Sequence, residues 1–268
     1  VRLCRKVGLS VFLRIGPFVH GEVRNGGFPD WIIEREKEGM AIRCNNEEYL
    51  GHVRRFWKKV YAQVDGCMEK DGGPVIGIQI ENEYGHVGGL QGPEGEAHIR
   101  TLTAMAKEIG FDVPLYTATG WGGACIGDLL PVMGGYCEAP WDQRTCEIEP
   151  NANFVFSHTR NDALIACDHH VENANSYNEE DFPFLTAELG GGLQVTMHRR
   201  PVAKGCDVGA MSTVKMGSGA GLLGYYMYHG GSNPKGKLST LQESRATGYL
   251  NDLPEINYDF NAPIRQYG

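Results

Sequence analysis

Six short apolar runs punctuate this chain, and each ends in glycine, aromatic or acidic residues. They are Val11–Ile15, the run launched by Asp71-Gly72-Gly73-Pro74 that ends at Glu83, then Pro114–Ala118, Leu129–Tyr136, Phe182–Glu188 and Leu222–Tyr228. Segments of helical spacing lie between them. Asn45 or Asn46 is placed to cap a helix over Glu47–Cys67, in which Leu50, Val53, Phe56, Trp57, Val60 and Tyr61 recur at helical intervals. Further helices are expected over Glu94–Ile109, stopped by Gly110, over Asp162–Asn173 and over Asp207–Gly217. The opening residues, up to Lys6, read as the end of a basic helix that stops at Gly8. Strands alternating with helices or long loops are the rhythm of a parallel α/β sheet. With no repeat, low-complexity tract or linker, the 268 residues read as one domain.

The stretch Gly72–Gly85 is the most telling for chemistry. The apolar run Val75-Ile76-Gly77-Ile78-Gln79-Ile80 gives way to Glu81-Asn82-Glu83-Tyr84-Gly85. A strand buried until its last residues, which then delivers an amide and a carboxylate, is how a (β/α)8 barrel builds a catalytic rim. Glu81 shares the face of Glu83 by the strand period, and charge pairing is the plain reading for it. A second carboxylate at a strand end is Glu188, followed by Gly190-Gly191-Gly192, which lets a ligand approach the backbone closely. The two lie 105 positions apart (188 minus 83), no obstacle in a barrel whose site residues come from different strands.

Composition narrows the field by exclusion. A formal charge of −8 disfavours nucleic acid and anionic membrane surfaces as partners. No apolar run is long enough for a membrane span. The eight cysteines form no Cys-x-x-Cys pair, so neither a zinc knuckle nor a redox motif is expected. They read as free, mostly buried thiols, although Cys137 and Cys146 are near enough to close a short loop. Cys167-Asp168-His169-His170 reads as a polar helix surface in preference to a metal site, and no metal or cofactor is expected. Gly219-x-Gly221-x-x-Gly224 precedes a strand, which sets aside a dinucleotide reading.

The string Gly73-Pro74-x-Ile76-x-x-Gln79-Ile80-Glu81-Asn82-Glu83-Tyr84-Gly85 resembles the signature of glycoside hydrolase family 35, the retaining β-galactosidases. The likeness runs from about Leu13 to Pro263. It implies a (β/α)8 TIM barrel, here incomplete: the six strands would be strands three to eight, with the first two before Val1 and β-rich domains after Gly268. Residues 1–268 would then form a catalytic barrel. The resemblance implies Glu83 as acid/base, Glu188 as nucleophile and Asn82 as the amide on the sugar 2-hydroxyl. Once Glu188 is consumed in an ester, loss of its charge favours ionisation of Glu83 and suits its change of role.

Further sugar contacts follow from the same likeness. Leu13–Phe18 with Gly26–Trp31 resembles the family's third-strand signature, whose Glu hydrogen-bonds galactose hydroxyls and corresponds to Glu22. His20-Gly21 stands where better-known members carry Cys-Ala. These positions would contact sugar mainly through backbone, with His20 read as a loop histidine in preference to a new hydroxyl ligand. Tyr226 matches a Tyr near the sugar, and Trp121 offers a ring face for stacking. Asn257–Pro263 resembles a family motif in which Phe260 replaces a ligand-contacting Tyr, which leaves strict galactose preference open. The activity implied is hydrolysis of terminal β-galactosides from oligo- or polysaccharides, without a cofactor, in a secreted, periplasmic or lysosomal-type context. The alternatives are another terminal β-glycoside such as a glucosaminide, or a non-catalytic carbohydrate-binding barrel.

Overall fold

The computed structural model describes residues 1–21, 23–86, 88–120, 123–137, 152–157, 160, 177–190, 202–233, 257–260 and 262–268. Its elements in chain order are α1 (Arg2–Val7), β1 (Val11–Arg14), α2 (Asp30–Lys37), α3 (Glu47–Val64), β2 (Val75–Asn82) and α4 (Gly92–Ile109). Then come β3 (Leu115–Gly120), β4 (Leu130–Tyr136), β5 (Thr186–Gly190), α5 (Gly205–Gly217) and β6 (Tyr225–Tyr226). The six strands form one sheet in sequential order, and every neighbouring pair is parallel.

The sheet is curled. Three strands separate β1 from β5, so a flat sheet would hold them about 19 Å apart at the usual strand spacing. Arg14 on β1 nevertheless reaches Glu188 on β5, with Nη2 to Oε1 at 3.1 Å. An arginine and a glutamate cannot span the flat separation between them, so the strands wrap into a half-barrel with both residues on the concave side. In register, Arg14, Gln79 and Tyr116 lie side by side on β1, β2 and β3.

The convex side is where the core sits. Ile78 and Ile80 of β2 meet Tyr49, Val53 and Trp57 of α3 and Ile99, Leu102 and Ala106 of α4, all nearly devoid of solvent contact. Helix α3 forms because its apolar residues fall on one stripe and its start is well capped. The Asn46 Oδ1 accepts from the Tyr49 N–H at 3.0 Å, and Glu47 and Glu48 complement the positive end of the helix dipole. Trp57 is completely buried, and its indole Nε1 donates to the Ile15 carbonyl at 2.9 Å. That bond ties α3 to the end of β1. Trp57→Ala is expected to cost about 3–5 kcal/mol and to lower the melting temperature by on the order of 10 °C in thermal denaturation.

The structure corrects several sequence expectations. Helix α3 ends at Val64, short of Cys67, because Gly66 turns the chain with a φ of 70°. Helix α2 was not foreseen: only Ile32 of its eight residues is buried, so it carries no periodic apolar signal. The last strand shrinks to two residues. Leu222 still bridges Leu185, but Gly224 runs so close to β5 that a Cβ there would sit 2.7 Å from the Thr186 carbonyl oxygen. The fifth strand starts at Thr186, four residues later than expected, and runs on to Gly190. Cys4, Cys44, Cys67, Cys125 and Cys206 are free thiols, but of the six cysteines described only Cys67 and Cys125 are buried, which overturns the mostly buried expectation. Burial pushes the Cys125 thiol up to about 12. Cys146, the Cys167–His170 cluster and the helix expected over Asp162–Asn173 lie outside the described residues. Among those described, no helix is long and apolar enough to cross a membrane, and no group of three His, Cys, Asp or Glu could hold a metal ion.

Candidate active site at the strand ends

Glu83, Asn82 and Glu188 lie at the C-terminal ends of their strands and are 3%, 2% and 8% exposed. Burying three such polar groups is costly unless each finds partners. For two of them one nitrogen supplies the link. Arg14 Nη2 donates to Asn82 Oδ1 at 2.7 Å and to Glu188 Oε1 at 3.1 Å. Gln79 Nε2 donates to the same Asn82 oxygen at 2.9 Å, and Tyr136 donates its hydroxyl to Glu188 Oε2 at 2.9 Å. Both carboxylate oxygens of Glu188 are therefore held from different strands, by a cation on one side and a phenol on the other. Solvent still reaches 36% of the Arg14 side chain. Protein nonetheless surrounds it closely enough for burial to oppose the charge, while Glu188 and the Tyr226, Tyr116 and Tyr136 phenols hold its pKa above the usual value.

Glu83 is placed by irregular backbone. Glu81 and Glu83 have φ values of 56° and 46°, in the left-handed region that costs of order 1–3 kcal/mol for a residue other than glycine. The register between β2 and β3 shifts between Gln79 and Asn82, so the strand end departs from simple alternation. Two backbone bonds hold it there: the Glu81 N–H donates to Gly16 and the Glu83 N–H to Ala118, at 2.9 and 2.8 Å. The side chain of Glu83 lies over Gly120, where a Cβ would meet Oε1 at 3.0 Å, and Gly120 itself has a φ of 62°. Gly134 continues this floor. A Cβ there would lie 3.5 Å from both the Gly120 carbonyl oxygen and the Glu188 Cβ. Two glycines thus line the ground between the carboxylates.

Glu81 faces away from this floor, into an ion pair. Its Oε2 accepts from Arg43 Nη2 at 2.9 Å, with both side chains almost fully buried. Burial pushes the Glu81 carboxyl up and Arg43 opposes the shift. The charge-pairing reading of Glu81 is the one observed.

The remaining candidates fall into two groups. His20 has a φ of 46°, and its buried Nδ1 has no hydrogen-bond partner among the described residues. Burial first, then the neighbouring Arg43, His86 and Arg14 side chains, pull its imidazole down to about 3, so it is neutral at neutral pH. Gly21 closes a turn by donating to the Gly26 carbonyl at 3.1 Å. On the far side, Tyr226 pairs in register with Gly190 and its hydroxyl bonds that of Tyr258 at 2.6 Å. Phe260 lies tilted against Tyr258, centroids 4.4 Å apart, and 6.2 Å from Tyr226. Glu22 and Trp121 lie outside the described residues. Arg14, Tyr136 and Arg43 are the polar groups that sequence reasoning did not single out. For Arg14 a signal exists, a charge inside an apolar strand.

Comparison with known proteins supplies the family. A family model described as "Glycosyl hydrolases family 35" matches residues 1–268. The chain belongs to glycosyl hydrolase family 35. Among curated relatives, "Beta-galactosidase 17" of Arabidopsis thaliana is 29% identical over 277 residues, covering 100% of this chain and 35% of its own length. "Beta-galactosidase 6" of Oryza sativa subsp. japonica is 30% identical over 273 residues, covering 100% of this chain and 26% of its own length. The chain therefore spans roughly a quarter to a third of the length of these relatives.

Proposed function

We propose that this chain is the catalytic barrel portion of a retaining exo-β-galactosidase, with β1–β6 as strands three to eight of a (β/α)8 barrel. The observation that carries the reading is the single guanidinium nitrogen shared by Asn82 and Glu188. It draws the residue beside Glu83 and the second carboxylate into one cluster, on the concave side of the sheet.

In this reading Glu188 is the nucleophile. Arg14 and the Tyr136 hydroxyl stabilise its negative charge and fix its orientation before attack. Glu83 donates its proton to the leaving glycosidic oxygen as Glu188 bonds the anomeric carbon and the glycosidic bond breaks. A water then gives its proton to Glu83 and its oxygen to the anomeric carbon, and the ester bond to Glu188 breaks. Asn82 serves the sugar 2-hydroxyl, while Glu22, His20, Gly21, Trp121, Tyr226 and Phe260 line the sugar site. The names of the relatives support a β-galactoside as substrate; in this reading galactose leaves from the end of an oligo- or polysaccharide, without a cofactor. Phe260, which offers a ring without a hydroxyl, favours one second reading, hydrolysis of another terminal β-glycoside such as a glucosaminide.

The test is to assay the full chain on nitrophenyl β-galactoside, β-glucoside and β-glucosaminide, following the first sugar released by proton NMR. β-Galactose is expected to form first and to mutarotate afterwards. First release of the α-anomer would exclude a double displacement, and a preference for glucosaminide would transfer the assignment to the second reading.

A further inference from the structure

We propose that Arg43 is a positioning residue for Glu83, acting through Glu81 and Asn82 without touching substrate; this rests on the reading of Glu83 as acid/base. Arg43 comes from the loop between α2 and α3, far from the strand ends in sequence, yet it grips the chain on both sides of Glu83. Its Nη2 donates to Glu81 Oε2 at 2.9 Å and to the Asn82 carbonyl at 3.4 Å. Its own carbonyl accepts the Tyr84 hydroxyl at 2.5 Å. Residues 81, 82 and 84 are thus all tied to one side chain and its backbone.

The guanidinium has little freedom to relax. Its centre lies 3.9 Å from the Phe18 ring centroid and 5.1 Å from that of Tyr84, so aromatic faces restrain the plane that the hydrogen bonds align. The segment it holds contains two left-handed residues, Glu81 and Glu83, a conformation that persists only where the surroundings over-determine it. Rotation of the strand end would carry the Glu83 carboxyl off the Gly120 floor. General acid catalysis demands that the acid lie within hydrogen-bond reach of the leaving oxygen. The consequence is a defect that falls mainly on proton donation, with a small loss through Asn82 common to all substrates.

The leaving group separates this from a merely structural role. In the full chain, Arg43→Met is expected to lower kcat/KM on phenyl β-galactoside by about 100-fold, within the range of general acid catalysis. On dinitrophenyl β-galactoside, which needs little protonation, the loss should stay below about fivefold. Arg43→Lys should restore part of the phenyl-substrate loss. In a Glu83→Gln background, Arg43→Met should add less than about twofold on the phenyl substrate, since the acid it positions is gone. Equal losses on both substrates, or undiminished loss in the Glu83→Gln background, would overturn the proposal. If Glu83→Gln itself shows no dependence on leaving group, the assignment of Glu83 fails instead. Should Arg43→Met not melt cooperatively, Glu81→Gln carries the same test, with about a tenfold split expected between the two substrates.

Discussion

Glu188→Gln is expected to abolish turnover on every glycoside the protein hydrolyses, by on the order of 10⁴-fold or more, as loss of a group essential to covalent catalysis does. The amide is nearly isosteric but forms no glycosyl ester. Its fit is favourable: the amide oxygen can accept from Arg14 while its NH2 turns toward the Tyr136 hydroxyl, the two partners of the native carboxylate. The fold should therefore persist, with an unchanged melting temperature beside the lost activity. Dinitrophenyl β-galactoside belongs in the assay, because no leaving group compensates for a missing nucleophile. Hydrolysis of that substrate at the parental rate would remove Glu188 from the mechanism.

Glu83→Gln should behave differently. Proton donation contributes about 10²–10⁴-fold, so phenyl β-galactoside hydrolysis should fall by that amount, while the dinitrophenyl substrate should stay within about tenfold of the parent in its first turnover. In the proposed mechanism Glu83 also activates the water, so breakdown of the ester should become limiting and bursts of dinitrophenol should follow. A uniform loss across leaving groups would contradict the acid/base role and would point to a general disturbance of the strand end.

Much of this architecture was legible in the sequence because burial imposes periods. The apolar runs of β1 to β4 fall close to where the strands form, since a parallel sheet covered by helices needs continuous apolar residues. The strand ends were harder to read. Glu81 and Glu83 are equivalent under a two-residue period, yet left-handed backbone sends one to Arg43 and leaves the other over Gly120. Arg14 was visible as an odd charge on β1, but its meeting with Glu188, 174 positions away, needs the curl of the whole sheet. Arg43 lies in a loop with no pattern around it. Helix α2, with one buried residue, left no trace for periodicity to find.

The glycine floor has a bearing on how such a protein can change. At Gly120 a left-handed backbone coincides with a contact so close that even one methyl group would press on the Glu83 carboxyl. A side chain at that position would be strained and would displace the Glu83 carboxyl, so change there is costly. Novelty enters more easily through the loops beyond the strands, which can lengthen or swap residues while the floor between the acidic groups stays free of side chains.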